Sequence, residues 1–208
     1  MTQPELISLS DGIEPHIAFD VERRVKFTRI DKGDTQALVE FRPHVAEHID
    51  RIIDEFYEMI LAVPDIAVLF GGDRDIAAIR KQQRQHWLDL LFSGDVGPEF
   101  VKSSVAAGAA HARIGLDPRW YIGGYSFFHN KLVTLAIEIY EQDRTRLEHL
   151  LLAINKIIFL DMDLALSSYI SGKNTGAQKA LSLKTNDLKD GIREVVEFVS
   201  SASLELEA

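Results

Sequence analysis

Seven histidines and no cysteine confine the chemistry open to this 208-residue chain. Without thiols there is no disulfide, no Cys-ligated zinc, no iron–sulfur cluster and no thioether-linked cofactor. Any metal or cofactor must be held by His, carboxylate, Tyr or Met. His111 has the most unusual setting, within "VAAGAAHARIGLDPRWYIGGY". Val105, Ala106, Ala107, Gly108, Ala109 and Ala110 put small side chains on the preceding turns, so a flat, bulky group or another backbone can approach closely. A neutral imidazole nitrogen there can ligate a metal. An ordinary close contact between helices is the alternative these residues leave open.

The other candidates carry weaker signals. His44 and His48, in "RPHVAEH", lie four apart on one helical face and can chelate a divalent metal only with a third ligand from elsewhere. No supporting carboxylate or histidine is spaced to help, so a solvated face is expected. His86, beside Trp87 in "KQQRQHWLDLLF", reads as a partly buried packing or hydrogen-bonding histidine. Tyr57 brings a hydroxyl into an apolar face with Phe56, Ile60 and Leu61. It is either a core aromatic with its hydroxyl at the surface or a donor to a buried ligand. There is no GxSxG elbow, P-loop, HExxH or Gly-rich dinucleotide turn, so no enzymatic activity is expected.

Helices must position these residues. From about residue 35 the apolar period is helical, with Val45, Ile49, Ile52, Ile53, Phe56, Ile60 and Leu61 in register. Pro43 is expected in that helix's first turn and Pro64 at its end. Asp73 or Asp75 should cap "IAAIRKQQRQHWLDLLF", which stops at Ser93-Gly94. The helix bearing His111 should close at Gly115. Asp117-Pro118 then restarts the chain as an N-cap followed by a first-turn proline. "RTRLEHLLLAINKIIFLDMDLALSSYI" is one more long helix. Its apolar stripe, from 147 to 170, is too wide for a single core face, so it should pack on its own domain and on something else. "SGKNTG" interrupts at 171 to 176. Beyond it Leu188, Ile192, Val195, Val199 and Ala202 have coiled-coil spacing over about two heptads. No strand alternation is visible, so the class is all-α.

The net charge of -9 argues against a broad nucleic-acid or anionic-lipid surface. No apolar run reaches the ~18 residues that span a bilayer, and the N-terminus lacks a secretory pattern. A cytoplasmic protein is expected.

"FYEMI", "QRQHWLDLLFSGD", "AHARIGLDPRWYIGGY" and "LEHLLLAINKIIFLDMDLALSSYI" together resemble the sensor globin domain of globin-coupled sensors, over roughly residues 25 to 170. The element H-x-R-I-G-L-x-P-x-W-Y is the most specific part. The resemblance implies a globin fold holding b-type haem without covalent attachment, with His111 as the proximal iron ligand and metal-binding residue. It implies that Tyr57 is the distal tyrosine donating to a gas ligand, with Phe56 beside it. Gln82 falls on the distal helix where relatives often carry threonine or leucine, with Ile79 one turn earlier. A surface role beside Lys81 and Arg84 is the alternative for Gln82. Tyr121 matches a tyrosine near the proximal histidine, and His86 matches a distal-side histidine that is structural or at the haem edge.

The implied function is reversible O2 binding, with CO and NO as further possible ligands, by a homodimer joined through its last two globin helices. The implied division is an N-terminal extension over 1–24, the globin over 25–170, and a linker with the start of a signalling helix over 171–208. The tail is similar to the start of a chemotaxis signalling helix, which suggests a haem-based aerotaxis transducer whose partners are chemotaxis signalling proteins. A cyclase or kinase output, a globin dioxygenase or peroxidase, and a haem-free helical interaction module are the rivals.

Overall fold

The structure is a computed structural model, and it describes residues 15–70 and 75–171, with side chains from residue 20 onward. Among these residues there are seven α-helices and no strand. The described residues up to Tyr169 belong to one compact unit, and residues 170 and 171 to a second. The expected coiled-coil spacing after residue 176 lies outside the described residues.

α1 (Pro15–Thr28) was not anticipated from the sequence. It buries Val21 and Val25 in the core. α2 (Lys32–Leu61) begins at a reciprocal cap: Asp31 Oδ1 accepts from the Asp34 amide at 3.0 Å, and Asp34 Oδ2 accepts from the Asp31 amide at 2.9 Å. Lys156 Nζ donates to both oxygens of the buried Asp34, at 2.9 and 2.7 Å. That cap decides where the helix starts, and it corrects the expected position of Pro43. Pro43 is inside α2, on its exposed side, and not in its first turn. An interior proline removes one backbone hydrogen bond. The buried stripe Leu38, Phe41, Val45, Ile49, Ile52, Ile53, Tyr57 and Ile60 outweighs that loss.

Pro64 opens the short α3 (Pro64–Ala67), which runs into a 3₁₀ turn, Val68–Phe70. α4 (Ile76–Gln85) is capped by Asp75, whose carboxylate accepts from the Ala78 amide at 3.0 Å. The expected continuation through "HWLDLL" is a π-helical turn, His86–Leu91, closed by the Phe92 amide on the Trp87 carbonyl at 3.1 Å. The extra residue in its turn changes the phase of the side chains, so that Trp87, Leu88, Leu91 and Phe92 are all buried. Arg42 Nε steadies the turn by donating to the Leu88 carbonyl at 2.8 Å.

α5 (Pro98–Ile114) closes at Gly115, whose φ of 76° is the left-handed conformation a helix stop favours. α6 (Pro118–Tyr140) starts where Asp117 accepts from the Arg119 amide at 3.0 Å. α7 spans residues 144–171. It supplies Leu150, Ile154, Ile157 and Leu160 to the core, fully buried alongside Phe41, Phe92, Phe100 and Phe128.

The width of the α7 stripe has a structural counterpart. Leu152 and Phe159 point outward with 51% and 57% exposure.

Candidate functional site

α5 and α7 meet along a seam of small and polar residues. Ser104 Oγ donates to Asp161 Oδ1 at 2.5 Å. One turn on, a Cβ at Gly108 would lie 1.9 Å from the Ala165 carbonyl oxygen, so only glycine permits this crossing. Further along, the Tyr169 hydroxyl donates to the Leu116 carbonyl at 2.9 Å. The small residues before His111 thus serve in part as a helix contact, through Gly108. Ala106, Ala109 and Ala110 lie on exposed parts of α5.

His111 is half-buried near the end of α5. Its Nδ1 is 2.7 Å from the Ala107 carbonyl. A carbonyl only accepts, so Nδ1 carries the proton, and Nε2 of the neutral ring keeps its lone pair. Burial lowers the pKa of His111; the Ala107 bond opposes this, and the charge of His86 adds to it. The neutral, ligating form is therefore favoured at neutral pH.

Tyr121 lies beside that ring, with centroids 4.7 Å apart. Its hydroxyl is 3.0 Å from the Tyr125 hydroxyl. Tyr125 gives its own proton to Asp161 Oδ2 at 2.5 Å, which leaves Tyr121 to donate to Tyr125. His86 Nε2 also donates to Asp161 Oδ2, at 2.9 Å, while its Nδ1 lies 3.3 Å from Ser103 Oγ. Asp161 has 0% exposure. Burial alone would raise its pKa, but the charge of His86 and the hydrogen bonds from His86, Ser104 and Tyr125 outweigh burial and hold it below the ordinary value. Burial, then the Asp161 charge, pushes both tyrosines upward, so both stay phenols.

Tyr57 is 2% exposed and meets Phe56 edge-on at 5.5 Å and Phe70 edge-on at 5.9 Å. The Arg80 guanidinium lies 4.9 Å from the Tyr57 ring centroid and donates to Asp54 at 2.6 Å. Burial pushes the Tyr57 hydroxyl up to about 12 against the opposing charge of Arg80, so it remains a donor. Phe56 is half-buried and packs on Phe128 at 4.9 Å. Ile79 is half-buried against the core.

Gln82 is exposed, on the same side of α4 as Ala78 and Lys81. Gln83 is half-buried, and its Oε1 has no partner among the described residues. His44 and His48 are half-buried, less open than the solvated face expected of them: His44 packs edge-on against Tyr140 at 6.1 Å, and His48 Nδ1 bonds the His44 carbonyl at 2.9 Å.

The structure therefore brings His111, Tyr121 and His86 into one connected assembly, and sets Tyr57, Phe56 and Ile79 in a second, aromatic one. Sequence reasoning missed Asp161, Tyr125, Ser104 and Arg80. A signal existed for Asp161: it falls on the same helical stripe as Ile154, Ile157, Leu164 and Ala165, a lone carboxylate among core positions.

The family model described as Protoglobin matches residues 18–175. The chain is similar to the heme-based aerotactic transducer HemAT of Halobacterium salinarum, 23% identical over 176 residues that cover 77% of this chain and 36% of that protein. It thus spans about a third of the length of that curated relative. In three dimensions it is similar to the globin domain of a Geobacter sulfurreducens globin-coupled sensor, with a TM-score of 0.67 and 19% identity over 71% of this chain and 96% of that one. That likeness shows the globin fold.

Proposed function

The chain belongs to the protoglobin family, and from that premise we propose that it is a gas-sensing input domain that binds O2 reversibly and passes the change in ligation to an output segment. Haem b is the cofactor of these globins. Its iron, when bound, supplies one coordination position for an imidazole and one for a diatomic gas. The donor set fits: His111 presents an unprotonated Nε2 while its Nδ1 is engaged by Ala107, and that single observation carries the proposal.

In this reading His111 would hold the haem iron through Nε2, and the Ala107 bond fixes its tautomer and restrains the ring. Tyr57 keeps its proton and would offer it as a hydrogen bond to a polar gas ligand, which would favour O2 over CO. Phe56 and Ile79 exclude water beside it. Gln82 takes the surface role beside Lys81 on the exposed side of α4, and His86 and Tyr121 set the surroundings of the His111 ring.

The sensor acts as a homodimer through α6 and α7, where Ile137, Leu152 and Phe159 are exposed apolar residues. An aerotaxis output is favoured by the 23% identity to an aerotactic transducer.

Titration of the purified chain with haem tests the proposal, followed by absorption spectra of the ferrous, ferrous-O2 and ferrous-CO forms. One equivalent per chain, with reversible O2 spectra, is expected. A chain that takes up no haem would leave a helical interaction module as the account. Sustained turnover of nitric oxide or peroxide would replace sensing by catalysis.

A further inference from the structure

Asp161 is a fully buried carboxylate that sits on α7 and takes no part in capping a helix or pairing with a lysine or arginine. Such a group is retained at a cost unless its neighbours satisfy it. Here the neighbours come from three other elements: Ser104 from α5, His86 from the π-helical turn and Tyr125 from α6. Each donates to a carboxylate oxygen, and one of them continues to the ligand site. Tyr125 is held by Asp161, Tyr121 donates to Tyr125, and the Tyr121 ring lies 4.7 Å from that of His111. The orientation of Tyr121 against the His111 ring is thus set by a residue on a different helix, two hydrogen bonds away. The Gly108–Ala165 crossing and the Tyr169–Leu116 bond dock α5 on the same length of α7.

We propose that Asp161 is a positioning residue for the haem site: from α7 its buried carboxylate fixes Tyr121 against His111 through Tyr125 and holds His86 in the facing turn. A ring pinned in this way has one preferred orientation, which bears on the basicity and freedom of the imidazole it touches. The same carboxylate ties that orientation to α7.

The test compares wild type, Asp161→Asn, Tyr125→Phe and, as a control on the same helix, the exposed Asp163→Asn. Tyr125→Phe removes only the hydroxyl that links Asp161 to Tyr121, so it serves even where Asp161→Asn fails to fold. The nuclear Overhauser effect between the Tyr121 and His111 rings is measured with and without haem. It is expected in wild type and Asp163→Asn and weakened in the other two. Its absence from wild type, or its persistence in both Asp161→Asn and Tyr125→Phe, overturns the inference.

A second measurement rests on the haem reading: the iron–histidine stretching band of the ferrous form by resonance Raman. The band should shift in the same direction in Asp161→Asn and Tyr125→Phe and stay in place in Asp163→Asn. A purely structural role would lower stability without moving it, and an unmoved band overturns the inference. Failure of wild type to take up haem would instead overturn the proposed function and leave the ring contact to decide the role of Asp161.

Discussion

Gly108 lies directly beneath the Ala165 carbonyl, with room for a hydrogen and not for a methyl group: a Cβ would approach that oxygen to 1.9 Å. The contact sits between the polar seam at Ser104–Asp161 and the Tyr169–Leu116 bond. Gly108→Ala is therefore expected to destabilise the chain by about 3 kcal/mol, at the upper end of ordinary overpacking because backbone and not a flexible side chain must yield. Urea denaturation measures this. An unchanged midpoint would mean that the two helices can separate freely.

His111→Gly should abolish haem retention, and millimolar imidazole should restore a histidine-like spectrum, since the small-residue face of α5 remains. Absorption spectra with and without imidazole check both halves. Full haem binding by the variant alone would remove His111 from the axial position.

Tyr57→Phe keeps the ring that packs against Phe56 and Phe70 and deletes only the donor. A hydrogen bond to a partly charged ligand contributes about 1.5 kcal/mol, which is about tenfold in rate. O2 should dissociate about tenfold faster, while CO dissociation changes little. Stopped-flow ligand replacement reads both, and equal effects on the two gases would indicate steric change and not a lost donor.

Acid should expose the part Asp161 plays. Its folded pKa lies below the ordinary 3.8, so the native state binds fewer protons than the unfolded chain in that range. Its contribution to stability is complete above 3.8 and is lost as pH falls through the folded value. The acid limb of the stability curve should be shallower in Asp161→Asn than in wild type. Parallel acid limbs would mean that the native carboxyl titrates normally.

Leu152 and Phe159 are seven apart on the outer face of α7, with 51% and 57% exposure. If this face joins two chains, Leu152→Asp and Phe159→Asp should each convert a dimer into a monomer with haem uptake intact. Sedimentation velocity measures the outcome, and a monomeric wild type would discard the dimer.

Caps and periods along the chain already identified most elements. Asp75, Asp117-Pro118 and Gly115 mark ends that local chemistry alone decides, because each satisfies or terminates the backbone bonds of its own helix. The setting of His111 among small residues was likewise legible as a local pattern, but that pattern left a helix contact and a ligand both open, and only the resemblance to sensor globins pointed to a ligand. Pro43 was misplaced because the start of α2 depends on the Asp31–Asp34 cap and on Lys156 from α7. The π-helical phase from His86 to Leu91 was hidden because one added residue per turn leaves no mark on composition.

Tertiary structure alone decided the partners of the site. Asp161, Tyr125, His86 and Ser104 come from four elements separated by as many as 75 positions, and no helical period relates them. A buried charge is satisfied by whichever donors the fold brings within hydrogen-bonding distance. The sequence by itself therefore determined where the helix of His111 ends and that small residues precede it, whereas the packing of α5, α6 and α7 determined what holds that residue in place.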